Sequence, residues 1–247
     1  MLVHASLRQI EPDRGGASTV LSALRDVLGR RGTVVVPAQT SWNSRTSRAF
    51  RTVTEGMSAL RLNAYLDELP VFQPKTTPSS GMGALAEHVR TRRKAVRSAH
   101  PQTSFAAVGP LARRLMGVHD RDCLLGERSP LGALYEADAR VLHLGTGFET
   151  ATIFHLGEWR AAPSLRAYSC KIAGVPENGG WVEFKDVDYN DADFDLIGAS
   201  FEEKTGSVRR GTAGSAPSLL YPARDAADYA EHWVRHERRQ TVGLSDG

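Results

Sequence analysis

A threonine, a histidine and a glutamate stand three residues apart in the segment GTGFETATIFHLGEW, at Thr152, His155 and Glu158. On a helix this spacing puts the three side chains near one face, with Trp159 four residues beyond His155. A carboxylate bonded to one imidazole nitrogen fixes the tautomer and raises the basicity of the ring, so the other nitrogen can take a proton. The same pattern suits a buried histidine bonded to its neighbour, and spacing alone does not choose between the two. The segment follows the apolar run VLHLG and opens on Gly-Thr-Gly. A strand running into a glycine turn and a helix start is where α/β folds place ligands, because unpaired backbone N–H groups point there.

Other chemistries lack their residues. Zinc catalysis needs more ligands than His155 and Glu158 offer; Thr152 is a poor one and no HExxH occurs, so no metal is expected. KDVDYNDADFD places Asp186, Asp188 and Asn190 at positions one, three and five of a calcium loop. Position six is Asp191 instead of glycine and position twelve is Ile197 instead of glutamate, so calcium is not expected either. These acids read as an anionic rim for a polyamine or as a solvated loop. There is no GxxxxGK[ST] phosphate loop and no GxSxG elbow, and GTGFET lacks the third glycine of a dinucleotide fingerprint. His100, in RSAHPQTSF, reads as a structural residue of a surface turn. Cys123, in RDCLLGE, reads as a small core thiol.

The elements that must position His155 follow from the patterning. LVHASL and TVVVPAQT read as short strands. Between them GGASTVLSALRDVLG carries apolar residues at helical spacing, Val20, Leu21, Leu24, Val27 and Leu28, closed by Gly29. Strand, helix and strand in succession are the rhythm of an α/β layer. Ser129 and Pro130 take the cap and first positions of another helix, ahead of the buried strand ARVLHLG. Residues 39–80, rich in Ser, Thr, Pro and aromatics, read as long loops packed over a site.

The chain has 247 residues, 41% hydrophobic, with 31 basic against 28 acidic side chains and a formal charge of +3. That excess is too small, and too scattered, for a nucleic-acid reader. The basic runs RTRRKAVR (90–97) and RHERR (235–239) read as solvated helix faces or anion contacts. Two cysteines form no disulfide framework, which points to a reducing compartment. No leader pattern and no membrane-spanning apolar stretch appears, so the expectation is a soluble, cytoplasmic protein with no membrane or nucleic-acid partner.

Several segments taken in order resemble the aminoglycoside N3-acetyltransferases: VHASL, then GG..TV..AL, GT.V.P..T and F.P..TPS..MG.LAE, then RS.HP..SFAA.G, LG..SP...L, VL.LG.G and T..H..E. The resemblance runs across nearly the whole chain. It implies a mixed α/β sheet flanked by helices, unlike the GNAT acetyltransferases, in a single domain spanning 1–247 that lacks the family's N-terminal helix. It implies transfer of the acetyl group of acetyl-CoA to the 3-amino group of a 2-deoxystreptamine aminoglycoside, with no metal. By position, His155 corresponds to the family's catalytic histidine and Glu158 to its glutamate. His4, Ala5 and Ser6 would lie along the thioester and pantetheine arm, with Ser104 and Thr152 shaping the same cofactor cleft. Glu183, Asp186 and Asp188 would meet the cationic acceptor. Backbone N–H groups and hydroxyls near Ser6 and Thr152 would receive the oxyanion. The resemblance leaves room for a homodimer. Where the family carries acids, this chain has NSRTSRAFR, whose Arg45, Arg48 and Arg51 suit CoA phosphates or imply a different amine acceptor. A non-catalytic CoA or small-molecule binder on the same fold is the remaining alternative.

Overall fold

The structure is a computed structural model that describes residues 1–10, 16–161, 164–173, 175 and 177–238. The opening strand β1 (Leu2–Ala5) leads through α1 (Leu7–Ile10) and α2 (Gly16–Leu28) into β2 (Val34–Pro37), which pairs parallel to it. This is the strand–helix–strand unit the patterning predicts. Two short helices, α3 (Arg48–Thr54) and α4 (Ala59–Glu68), precede α5 (Gly83–Arg90), β3 (Val96–Arg97), β4 (Phe105–Val108) and α6 (Ala112–Met116). Then come α7 (Pro130–Glu136), β5 (Arg140–Leu144) and α8 (Phe154–Ala161). The remainder is a hairpin of β6 (Leu165–Lys171) and β7 (Trp181–Val187), helix α9 (Phe194–Thr205), β8 (Arg209–Ala213), β9 (Ala216–Pro222) and α10 (Ala223–His236).

Seven strands form one mixed sheet in the order β3-β4-β2-β1-β5-β9-β8, with β6 and β7 as a separate antiparallel pair. Its centre, β2-β1-β5, is parallel, and antiparallel strands flank it on both sides. Alternation along each strand divides the side chains between two helical layers. Leu2, Val35, Phe105, Val141 and Tyr221 face the layer of α6 to α10, whereas Val3, Val34, Val36 and Leu144 face Leu21 of α2 and Leu85 and Val89 of α5. Ser129 caps α7 by accepting from the Leu131 N–H, with Pro130 following, as expected.

The segment 39–80 departs from the loop reading. The Ser47 and Ser58 side chains cap α3 and α4 by accepting from the Phe50 and Arg61 N–H groups. Phe50 and Leu69 then bury against Trp181 of β7, packed with Leu62, Tyr65 and Leu66. His100 is structural but fully buried rather than superficial: its Nδ1 accepts from the Gln102 and Thr103 N–H groups, and Nε2 donates to the Arg121 carbonyl. Among the described residues no helix is long and apolar enough to cross a membrane.

Four imidazoles lie in this interior, and three of them are held by neutral groups. His100 bonds backbone, His119 bonds Ser98 and the Leu124 carbonyl, and His143 bonds Thr146, Thr150 and the Tyr221 hydroxyl; His4 stacks on His143. Burial pushes His100 down to about 4 and His119 and His143 down to about 3, and holds His4 well below its ordinary value. Below the ordinary histidine value of 6.5 the unfolded chain therefore takes up protons that the folded chain refuses. Stability is full above that pH and is lost as pH falls, at up to about 4 kcal/mol per unit from three such histidines. Glu87, held down to about 2 chiefly by its bond to Arg90, adds to the loss only below the ordinary glutamate value of 4.5. Urea melts should show a steep fall in midpoint between roughly pH 6 and pH 4.5; a flat profile over that span would sink this account.

Candidate active site

The C-terminal ends of β1, β2 and β5 lie along one edge of the sheet. β1 is the strand on whose two sides the chain successively adds β2 and β5, the switch point at which open α/β sheets form a crevice. A cleft of about 710 Å³ opens there. His4, Ala5, Ser6 and Arg8 come from the end of β1 and the turn into α1, and Pro37 and Gln39 from the end of β2. Gly81, Met82 and Gly83 come from the start of α5, and Thr146, Glu149, Thr150, Thr152 and His155 from the segment after β5. Asp191 and Phe194 complete it from the start of α9. Gly145 turns the chain out of β5 with φ of 65°, a left-handed conformation that suits glycine.

Helix α8 starts at Phe154, after a 3₁₀ turn over residues 148–150, so of the polar triplet only His155 and Glu158 lie on it. Thr152 therefore precedes the helix, and its carbonyl accepts from the His155 N–H at 3.2 Å. His155 and Glu158 share one helical face, and Nδ1 of His155 lies 2.5 Å from Oε2 of Glu158. The carboxylate fixes the tautomer: Nδ1 carries the proton, and Nε2 is left as the basic nitrogen of a side chain that lines the cleft. Phe194 and Tyr189 hold the imidazole between them at ring-centroid distances of 4.7 and 5.2 Å.

Glu158 is 0% exposed, so its charge needs partners on the protein. Its second oxygen, Oε1, accepts from the Asn190 N–H at 3.1 Å and from the Arg238 guanidinium. Arg238, two residues past α10, also donates to both oxygens of Asp193 and to the Asn190 carbonyl. Burial disfavours its charge, but the bonds to Asp193 and Glu158 outweigh that and hold it above the ordinary arginine value. Nothing local in RHERR signals this contact, since 80 residues separate the partners. Arg239, which ends that run, lies outside the described residues.

The other predicted residues divide. His4, Ala5, Ser6 and Thr152 line the same cleft as His155. His4 is buried, and among the described residues its Nε2 has no hydrogen-bond partner. Ser104 stands at the same sheet edge but not in the wall: it is buried, donates to the Ala38 carbonyl and accepts from Arg97 Nε, so its hydroxyl is occupied by the fold. Asp186 is likewise taken. Its buried carboxylate accepts from the Leu124 and Val187 N–H groups and the Tyr189 hydroxyl. Asp188 pairs with Arg166 at the surface. Glu183 lines a second cavity of about 1060 Å³, with Arg45, Arg121, Asp120 and Asp122. Arg45 stacks on Trp181 there, and Arg48 and Arg51 lie exposed on α3, outside the strand-end cleft. The Ser6 N–H donates to the Leu144 carbonyl and the Thr152 N–H to the Thr150 carbonyl. These two amides are therefore committed, and the Thr152 hydroxyl also donates to the Thr150 carbonyl, at 3.4 Å. Of the cleft acids, Asp191 belongs to the KDVDYNDADFD segment whose acids read as an anionic rim, whereas Glu149 belongs to no motif, and its position just past a strand end was the signal available for it.

A mixed sheet with a strand-end cleft and a carboxylate-bonded histidine in its wall is an α/β arrangement able to pass a proton to or from a bound ligand. The sequence model of a family described as aminoglycoside 3-N-acetyltransferase matches residues 2–235, and the chain belongs to that family. Its mixed sheet flanked by helices is of that family's type, not of the GNAT type. That relation supports acetyl-CoA-dependent aminoglycoside N-acetyltransferase activity. The chain is 33% identical to the SPbeta prophage-derived aminoglycoside N(3')-acetyltransferase-like protein YokD of Bacillus subtilis, covering 94% of this chain and 85% of that protein. The crystal structure of YokD superposes with a TM-score of 0.86 over 97% of this chain and 87% of its own, at 31% identity. Aminoglycoside N(3)-acetyltransferase VII of Streptomyces paromomycinus is 34% identical over 96% of this chain and 85% of its length. The aminoglycoside acetyltransferase AAC(3)-Xa matches with a TM-score of 0.80 at 31% identity, over 95% of this chain and 85% of its own.

Proposed function

We propose that this protein transfers the acetyl group of acetyl-CoA to the 3-amino group of a 2-deoxystreptamine aminoglycoside, with His155 as general base. The observation that carries the reading is the 2.5 Å bond from His155 Nδ1 to a fully buried Glu158 at the wall of the strand-end cleft. Family membership supplies the acetyl donor and the class of acceptor. The acceptor amine attacks the thioester carbonyl as its proton passes to His155 Nε2. The C–S bond then breaks, the new amide leaves with the sugar, and the imidazolium returns the proton to the thiolate. Transfer is direct: both cysteines are buried, and burial raises Cys123 to about 11 and Cys170 to about 12, away from nucleophilic use.

His4, Ala5, Ser6 and Thr152 would receive the thioester end of acetyl-CoA, and the unpartnered His4 Nε2 supports that placement. The Ser6 and Thr152 hydroxyls would meet the oxyanion. A cationic acceptor would find Asp191 and Glu149 in the cleft and Glu183 in the second cavity. A second reading, acetyl transfer to a different primary amine, draws on Arg45 and Arg121 beside Glu183, a mixed-charge wall suited to an acceptor that also bears an acid. Thiol release from acetyl-CoA, measured with a panel of deoxystreptamine antibiotics and with simple polyamines and amino acids, tests both. Release with the antibiotics and a product acetylated at the 3-amino group by NMR is the expected result. Release only with another amine establishes the second reading, and tight CoA binding without release from any amine overturns both.

A further inference from the structure

We propose that Arg238 is a positioning residue for acetyl transfer, holding the Glu158 carboxylate aimed at His155 between turnovers. The inference rests on the proposed acetyl-transfer reading of the site. A carboxylate that is 0% exposed stays charged only beside compensating charge or several donors. While His155 is neutral and ready to accept a proton, it offers Glu158 one N–H and no positive charge. The Asn190 N–H supplies another dipole, and the Arg238 guanidinium supplies the full charge. Arg238 is itself fixed from the other side by Asp193, which in turn accepts from Trp233 Nε1 at 3.1 Å. One guanidinium thus spans the end of α10, the start of α9 and the buried carboxylate of α8. A Glu158 carboxylate turned away from Nδ1 would lose its hold on the Nδ1–H tautomer, and Nε2 would no longer be held as the basic nitrogen. Arg238 does not line the cleft, so it acts through Glu158.

The test is steady-state kinetics on Arg238→Ala and Arg238→Lys, each checked for folding by circular dichroism. Arg238→Ala is expected to lower kcat about 10- to 100-fold, the range seen when the outer partner of a functional histidine is removed, with KM for acetyl-CoA little changed. Arg238→Lys keeps the charge and should recover part of the loss. Guanidinium chloride at millimolar concentration should restore part of the Arg238→Ala rate, because the side chain is 14% exposed and its place can be reached. A kcat within roughly twofold of wild type overturns the inference. So does a loss that neither lysine nor guanidinium repairs, which would mark Arg238 as a structural tie alone. The low-field NMR signal of the His155 Nδ1 proton gives a readout independent of turnover. If the wild-type protein releases no thiol with any amine, the proposed function falls, and this signal decides for Arg238. A displaced or lost resonance in Arg238→Ala then supports the inference, and an unchanged one overturns it.

Discussion

His155→Ala loses roughly 10²- to 10⁴-fold in kcat while still binding acetyl-CoA, the range that a well-placed general base contributes. The size of the effect follows from the acceptor. An aliphatic amine is mostly protonated near neutral pH, and the nitrogen that attacks must shed a proton to somewhere within reach. His155 Nε2 is the cleft-lining nitrogen whose tautomer is set, by the bond from Nδ1 to Glu158. A packing role predicts something else. The imidazole touches Phe194 and Tyr189, so if it served only to fill space, alanine would lower the melting temperature and scale activity with the folded fraction. Calorimetric titration of acetyl-CoA, a thermal melt and turnover on the same preparation separate the two, and near-normal turnover ends the proposal. The pair also predicts non-additivity. With the histidine gone, Glu158→Gln should cost little further activity, because the two act as one unit. If the second substitution costs its full single-variant factor again, Glu158 has a role of its own.

How much of this was legible beforehand depends on the distance over which each feature is encoded. The β1-α2-β2 unit and the Ser129-Pro130 start of α7 are local, and they stand where the spacing put them. The bond from His155 to Glu158 is also local, three residues along one helix, so its possibility could be read although its burial could not. The helices in 39–80 escaped because they are short, carry Thr and Asn and start from Ser caps, and their stability comes from Phe50, Leu69 and Trp181 closing together. Asp186 read as one acid among several in a polar segment. Only the approach of the Leu124 N–H, 62 residues earlier in the chain, turns it into a buried fastening. The antiparallel half of the sheet was illegible for the same reason: the register of β5 with β9 joins Val141 to Tyr221. The family resemblance adds what local pattern could not, a reason to favour His155 as a base over His155 as a core residue, and the His155→Ala kinetics decide between them.

Gly157→Ala should unfold the protein several degrees earlier and take activity down with it. A methyl group there would stand 2.5 Å from the Glu231 nitrogen, 2.6 Å from the Ala227 carbonyl oxygen and 2.7 Å from the Ala230 Cβ. Alanine gains about 1 kcal/mol over glycine in helix propensity. Overpacking of a close interface costs about 1–3 kcal/mol and sometimes more. Which term wins depends on whether the neighbours can yield. Two of the three contacts are backbone atoms of α10 and the third is a fully buried alanine, so relief requires the helices to separate rather than a side chain to rotate. The loss therefore falls at the upper end, a net of about 2 kcal/mol or more and a drop in Tm of roughly 5 °C. The site shares the cost because Gly157 lies between His155 and Glu158, and α10 leads directly to Arg238. Moving the two helices apart pulls the guanidinium from the carboxylate it holds. Gly211→Ala, where the added methyl meets nothing within 4 Å, is the matched control and should leave both quantities close to wild type. A Gly157→Ala protein that melts at or above the wild-type temperature would mean that α8 and α10 can slide without penalty. The Glu158 clamp would then have to be held by the 190–193 turn rather than by the contact between these helices.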